Sequence, residues 1–154
     1  MIEEYLNTQG YILFDGAFGT YYAQRYAEEQ EPCEMANLKH PQRVAAIHRE
    51  YIEAGADAIK TNTFSANEQQ LECSWEMIQQ ILQEGYRIAK ETAGDRVKVF
   101  ADIGPIMEQK NVSLAQQYQR IADVFLAEGA ECFLFETLLN TRELHAVSAY
   151  IKQR

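Results

Sequence analysis

"ILFDGAFGTY", residues 12–21, sets three bulky apolar residues directly before an aspartate and a glycine, with a second glycine three positions on. An apolar run of this kind reads as a buried strand, and a glycine after it marks a backbone that turns sharply or is approached closely. Packing accounts for residues 12–14 but not for a carboxylate at Asp15. The same design recurs downstream. Residues 58–64, 97–103 and 132–135 are further strand-like runs, and segments of helical spacing separate them. Pro41 suits the first position of a helix whose apolar face is Val44, Ile47, Tyr51 and Ile52 and whose end is Gly55. Trp75, Ile78, Ile81, Leu82, Ile88 and Ala89 carry a second helix to Gly94, with Gly85 as a weak point in its middle. Ser113 and Gln116 read as a capping box ahead of Leu114, Tyr118, Ile121 and Phe125, and Gly129 stops that helix. A last helix is expected from Asn140 or Thr141 to Arg154, carrying Leu144, Val147 and Ile151.

Strand and helix therefore alternate four times, an order that gives parallel strands joined by right-handed crossovers. An internal echo supports it: "EAGADAIKTNTF" at 53–64 and "AEGAECFLFETL" at 127–138 share a helix-ending Gly-Ala, an acidic residue, an apolar strand and a threonine before a large apolar residue. Gly55 and Gly129 lie 74 positions apart, two units of 37, the period of repeated strand-helix units. The chain is read as a single domain over 1–154, with no linker and no shift in composition.

The 154 residues are 47% hydrophobic, enough for a sizeable core. Fourteen basic residues against 23 acidic ones give a net charge of −9, a field that repels nucleic-acid backbones and acidic membrane surfaces. No nucleic-acid or membrane partner is expected. Met1-Ile2-Glu3-Glu4-Tyr5 lacks the basic start and long apolar run of a signal peptide, and no stretch approaches the ~18 apolar residues of a membrane span. A cytoplasmic location follows as the expectation. Cys33, Cys73 and Cys132 are too far apart for a local metal knuckle or a disulfide framework and read as buried or incidental thiols.

In parallel α/β folds ligands bind beyond the carboxyl ends of the strands. Here those ends carry Asp15-Gly16, Thr61-Asn62-Thr63, Asp102 before Ile103-Gly104-Pro105, and Glu136-Thr137. Asp15 and Glu136 could hold an ammonium group, while the Gly16 N–H and the hydroxyls of Thr61 and Thr63 could take a carboxylate, which outlines an amino-acid pocket. Each residue also has a plainer reading: Asp15 as a turn cap, Glu136 as an ion-pair partner of Lys60, the threonines as strand formers. His40, His48 and His145 read as core or surface histidines, because no second ligand stands at metal spacing. Tyr21, Tyr22 and Tyr26 read as packing, although one of them near Asp15 could flank a ligand, and the acidic run 28–31 reads as a solvated loop or face.

"DGAFGT" at 15–20, "HPQRVAAIHREYIEAGADAIKTNTFSAN" at 40–67, "DIGP" at 102–105 and "FLFET" at 133–137 resemble, in order, the homocysteine S-methyltransferase family. The resemblance implies an α/β fold, a (β/α)8 TIM barrel that binds homocysteine, holds its sulfur on Zn as thiolate and passes it a methyl group. Carried over by position, it makes Asp15 and Glu136 the carboxylates that hold the amino group, Gly16 a backbone contact, and Thr61 or Thr63 a partner of the carboxylate. The zinc-ligand cysteines of the family, in Asn-Cys and Gly-Gly-Cys-Cys motifs, have no counterpart here, and no residue of this chain is assigned to metal. Asp102 stands where relatives commonly carry a small hydroxyl residue.

A full barrel takes roughly 250 residues, so the expectation is the N-terminal half of a (β/α)8 TIM barrel, four parallel strand-helix units, carrying the amino-acid-recognition residues and inactive alone. The sequence does not name the methyl donor. The open sheet edges imply a homodimer or larger assembly. The alternative is a non-catalytic half-barrel that binds a small molecule or a partner.

Overall fold

The computed structural model describes residues 2–108, 110–138 and 141–154, and its three strands pair side by side in parallel. They are β1 (Ala58–Lys60), β2 (Lys98–Ile103) and β3 (Phe133–Phe135), in chain order across the sheet. Ala58 to Lys60 register with Lys98 to Phe100, and Ala101 to Ile103 with Phe133 to Phe135. Among the described residues eight α-helices accompany them: α1 (Ile2–Gln9), α2 (Phe18–Arg25), α3 (Ala36–Lys39), α4 (Pro41–Glu53), α5 (Glu68–Leu71), α6 (Trp75–Ala93), α7 (Leu114–Ala127) and α8 (Leu144–Ile151), with a 3-10 turn at Cys33–Met35.

The predicted first strand is reduced to one bridge, Phe14 to Ala58. The reason lies in two carboxylates. Leu13 gives its N–H to Asp57 Oδ2 at 2.9 Å, and the Lys60 N–H goes to Asp15 Oδ2 at 3.0 Å. Side chains thus take bonds that ladder carbonyls would otherwise accept. The segment still lies along β1, with Asp15 N donating to Ala58 O and Asp57 N to Leu13 O.

The strand expected over 58–64 also stops early, at Lys60. Thr63 N turns back to Thr61 O, and the backbone leaves the sheet just where the polar residues begin. The last helix is shorter than expected, Leu144–Ile151, and the proposed start at Asn140 lies outside the described residues. Pro41 opens α4 and Ser113 caps α7 through the Gln116 N–H, as the sequence predicts, and Ser74 caps α6 as well.

Two apolar clusters hold these pieces. The larger packs Ile59, Val99, Ala101 and Ile103 of the sheet against Ile81, Leu82 and Ala89 of α6 and Ile121 and Phe125 of α7. The smaller joins Tyr22, Ala36, Val44, Ile47 and Ile88. The larger cluster seats α6 and α7 on the strands, and the residues at the carboxyl ends of the three strands, Lys60, Asp102 and Glu136, share a common space with α2 and the 3-10 turn.

Candidate ligand site

A cavity of about 560 Å³ opens at that end of the sheet. Its walls come from Ala17 to Thr20 with Tyr22 and Ala23, and from Pro32 to Glu34, and its floor from Lys60 to Ser65, Asp102 and Glu136. The α2 wall is apolar, with Phe18 and Tyr22 one turn apart and ring centroids 6.4 Å from each other.

Lys60 is the centre of the floor. Its Nζ lies 3.3 Å from Glu136 Oε2 and 3.8 Å from Asp15 Oδ1, so the two carboxylates read as an ammonium clamp do converge, on the chain's own ammonium. The Asp15 side chain is fully enclosed. Burial pushes its carboxyl up to about 6, opposed by the Lys60 N–H and ammonium and reinforced by Glu136. Asp102, at the end of β2, is 3% exposed. Its carboxyl rises further, to about 8, because of burial first and the Glu136 charge second, with Lys60 opposing. At neutral pH Asp102 is therefore mostly a neutral acid.

The threonines do something the sequence reading did not foresee. Thr63 Oγ1 donates to Asp102 O at 2.7 Å, so at the 2.6 Å contact between the two hydroxyls the proton belongs to Thr61. Thr61 Oγ1 accepts in turn from Asp102 N at 2.9 Å. A hydroxyl has one proton to give: Thr63 spends its own on the Asp102 carbonyl of β2, and Thr61 spends its own on Thr63 within the loop. Thr61 and Thr63 thus lock Asp102 in place and keep only lone pairs for anything else.

Gly16 lies beneath the Tyr51 ring: a Cβ there would sit 2.9 Å from the Tyr51 hydroxyl oxygen. Opposite, Asn62 Nδ2 donates to Cys33 O at 2.7 Å and to Asn37 Oδ1 at 2.9 Å, while Asn37 Nδ2 donates to Asn62 O and Ile81 O. Glu34 Oε1 accepts from Ser65 N at 2.8 Å. These bonds hold the 3-10 turn, with the Cys33 thiol, against the cavity. Cys33 Sγ lies 3.2 Å from Asn62 Oδ1, and burial and the neighbouring Glu34 charge push the thiol well above its ordinary range. His48 is buried in α4 against Phe18, and among the described residues neither ring nitrogen has a hydrogen-bond partner. It is a core histidine.

Sequence reasoning brought Asp15, Glu136, Thr61 and Thr63 to one end of the sheet. It missed Cys33 and Phe18, although Phe18 and Tyr22 at a spacing of four were a readable helical signal, and it weighed a ligand-flanking tyrosine only as the lesser reading of Tyr21, Tyr22 and Tyr26. Lys60 was weighed only as an ion-pair partner.

Residues 12–154 match a family model described as homocysteine S-methyltransferase. The chain belongs to the homocysteine S-methyltransferase family. Methionine synthase of Mycobacterium tuberculosis is 31% identical to it over 162 residues, 90% of this chain and 13% of that protein. Betaine–homocysteine S-methyltransferase 1 of Bos taurus is 30% identical over 118 residues, 76% of this chain and 28% of that protein. The chain thus spans less than a third of either relative. In fold it is similar to the metallated form of the homocysteine methyltransferase MmuM from Escherichia coli, with a TM-score of 0.79 at 16% identity over 99% of this chain and 62% of the other.

The zinc that the family resemblance implies is not matched by the donors described here. No three His, Cys, Asp or Glu side chains among the described residues are placed to hold a metal ion. The one thiol in the cavity, Cys33, is held in its neutral form, whereas zinc binds the thiolate. No helix among the described residues is long and apolar enough to cross a membrane.

Proposed function

We propose that this chain is the homocysteine-recognition part of a methyl-transferring (β/α)8 barrel, contributing its first four strand-helix units and no metal ligand of its own. The observation that carries the reading is the placement of Asp15 and Glu136, from separate strand ends, within 4 Å of the same ammonium at the floor of an apolar-walled cavity. In this reading Asp15 and Glu136 hold the amino group of homocysteine, Gly16 lies along the ligand's main-chain atoms, and Phe18 and Tyr22 flank its side chain. The family's reaction joins the homocysteine sulfur to a donor's methyl carbon: the thiol gives up its proton, and the donor leaves with the electron pair of the broken bond. Binding and orientation of the amino acid are what these residues supply.

Charge-assisted hydrogen bonds to a buried carboxylate are worth about 1.5–3 kcal/mol. Calorimetry is therefore expected to show L-homocysteine binding at least tenfold more tightly than 4-mercaptobutanoate, which lacks the amine. Equal affinities, or no binding of either, would overturn the reading. Assayed with S-methylmethionine as donor, the chain alone is expected to show no methyl transfer, and turnover by the bare chain would contradict the absence of its own metal ligands.

Among the described residues the outer edge of β3 pairs with no strand, and Tyr11 and Leu13 beside the Phe14 bridge are exposed. We propose that a second copy covers these edges. Light scattering is expected to give a dimer or larger species, and a monomer at high concentration would refute it.

A further inference from the structure

Three carboxylate oxygens at this end of the sheet have no hydrogen-bond partner among the described residues: Asp15 Oδ1, Asp102 Oδ1 and Glu136 Oε2, of which the last two belong to residues that line the cavity. Each is out of reach of solvent, and each comes from the end of a different strand segment. Asp102 and Asp15 are 3% and 6% exposed. A buried acceptor left unmade is costly, and three together describe a missing donor group. A primary ammonium has three N–H donors and no acceptor.

The chain already sends one ammonium toward that point. Lys60 Nζ approaches Glu136 Oε2 and Asp15 Oδ1 at 3.3 and 3.8 Å, close enough to attract both by charge yet without a hydrogen bond to either. We propose that Asp102 completes, with Asp15 and Glu136, a three-carboxylate subsite for a ligand's primary ammonium, in which the Lys60 ammonium is a tethered and imperfect occupant that the ligand displaces. The proposal rests on the homocysteine reading and extends it, making Asp102 a contact to the ligand and Lys60 its competitor. The Thr61 and Thr63 hydroxyls, both spent on the Asp102 backbone, are the positioning residues that hold the third carboxylate in place.

The charged groups facing Asp102 are Glu136 beyond β3, Lys60 on β1, Asp15 on the first segment and Glu34 on the 3-10 turn. Burial among them keeps Asp102 protonated at pH 7, and a cation seated against it favours the ionised form. Ligand binding therefore expels a proton, on the order of 0.9 per site for a carboxyl that titrates about one unit above the working pH.

The test is calorimetry at pH 7 in buffers of different ionisation enthalpy, with L-homocysteine and 4-mercaptobutanoate as probes. In the wild-type chain homocysteine is expected to release close to one proton, and the deamino probe none. Asp102→Asn, nearly the same shape as the neutral acid, is expected to abolish the release and weaken homocysteine about tenfold or more while leaving the deamino probe unchanged. Lys60→Met is expected to tighten homocysteine binding, because the tethered competitor is gone; this variant carries the test if Asp102→Asn does not fold. Proton release and affinity unaltered in Asp102→Asn, with Glu136→Gln still weakening homocysteine, would overturn the third carboxylate and leave the homocysteine reading standing. Weaker or unchanged binding in Lys60→Met would overturn the tethered occupant. Both probes binding alike to every variant, or binding to none, would overturn the proposal and the reading beneath it together.

Discussion

Gly85 sits in the middle of α6, where helix propensity alone marks it as a defect. In the folded chain a Cβ there would lie 2.6 Å from Asn37 Nδ2 and 2.8 Å from Thr63 Cγ2. Asn37 cannot retreat, because its amide holds the carbonyls of Asn62 and Ile81. An alanine gains up to about 1 kcal/mol in helix propensity, but overpacking a tight buried contact costs about 1–3 kcal/mol. The contact should win, so Gly85→Ala is expected to lower stability by about 1 kcal/mol in urea unfolding. A gain would show that α6 can move away from the loop after β1. Thr137, next to Glu136, is the opposite case: a β-branched residue at φ 59. Left-handed backbone costs a residue with a Cβ about 1–2 kcal/mol. Thr137→Gly is expected to raise the thermal midpoint by a few degrees while loosening the aim of Glu136.

At the scale of elements, the loop after β1 is the joint on which the site turns. Thr61 accepts from the Asp102 N–H and donates to Thr63, so Thr61→Val strips a buried N–H of its partner. The expected cost is about 1–3 kcal/mol, read as a lower denaturation midpoint. No change would mean that the hydroxyl chain does not join β1 to β2. The helices α4, α6 and α7 were legible because their periodicity, caps and terminal glycines all agree. The first strand was overread: its apolar run is real, but Asp57 and Asp15 take hydrogen bonds that an apolar pattern cannot reveal. Of the site, chain position gave the carboxylates at the strand ends. It could not give Lys60, since whether a lysine turns outward or into a cavity is decided by acids 45 and 76 residues away in the sequence. Nor could residue types show that the threonine protons are used within the chain.

Across the whole molecule, buried titratable groups pull stability in opposite directions. His48 in the core is lowered from 6.5 to about 4 by burial. The unfolded chain takes up that proton first, so this contribution is present above pH 6.5 and is lost as pH falls toward 4. Asp102 is raised from 3.8 to about 8, so its contribution is present below 3.8 and is lost as pH rises through 8. Asp15, raised to about 6, loses its contribution between 3.8 and 6. The two aspartates outweigh His48, so urea midpoints are expected to fall as pH rises from 4 to 8. His48→Leu should steepen that fall below pH 6.5 and Asp102→Asn should flatten it up to pH 8; an unchanged slope in either variant would refute the assignment.

The proposed site stands on one placement, a ligand's amino group among carboxylates from three strand ends. A crystal structure of the chain with bound L-homocysteine tests it most directly. The predicted result is the ligand nitrogen within hydrogen-bond distance of Asp15 Oδ1 and Glu136 Oε2, with Lys60 Nζ moved out of the gap between them. A ligand nitrogen elsewhere in the cavity, with Lys60 still between the two acids, would contradict it.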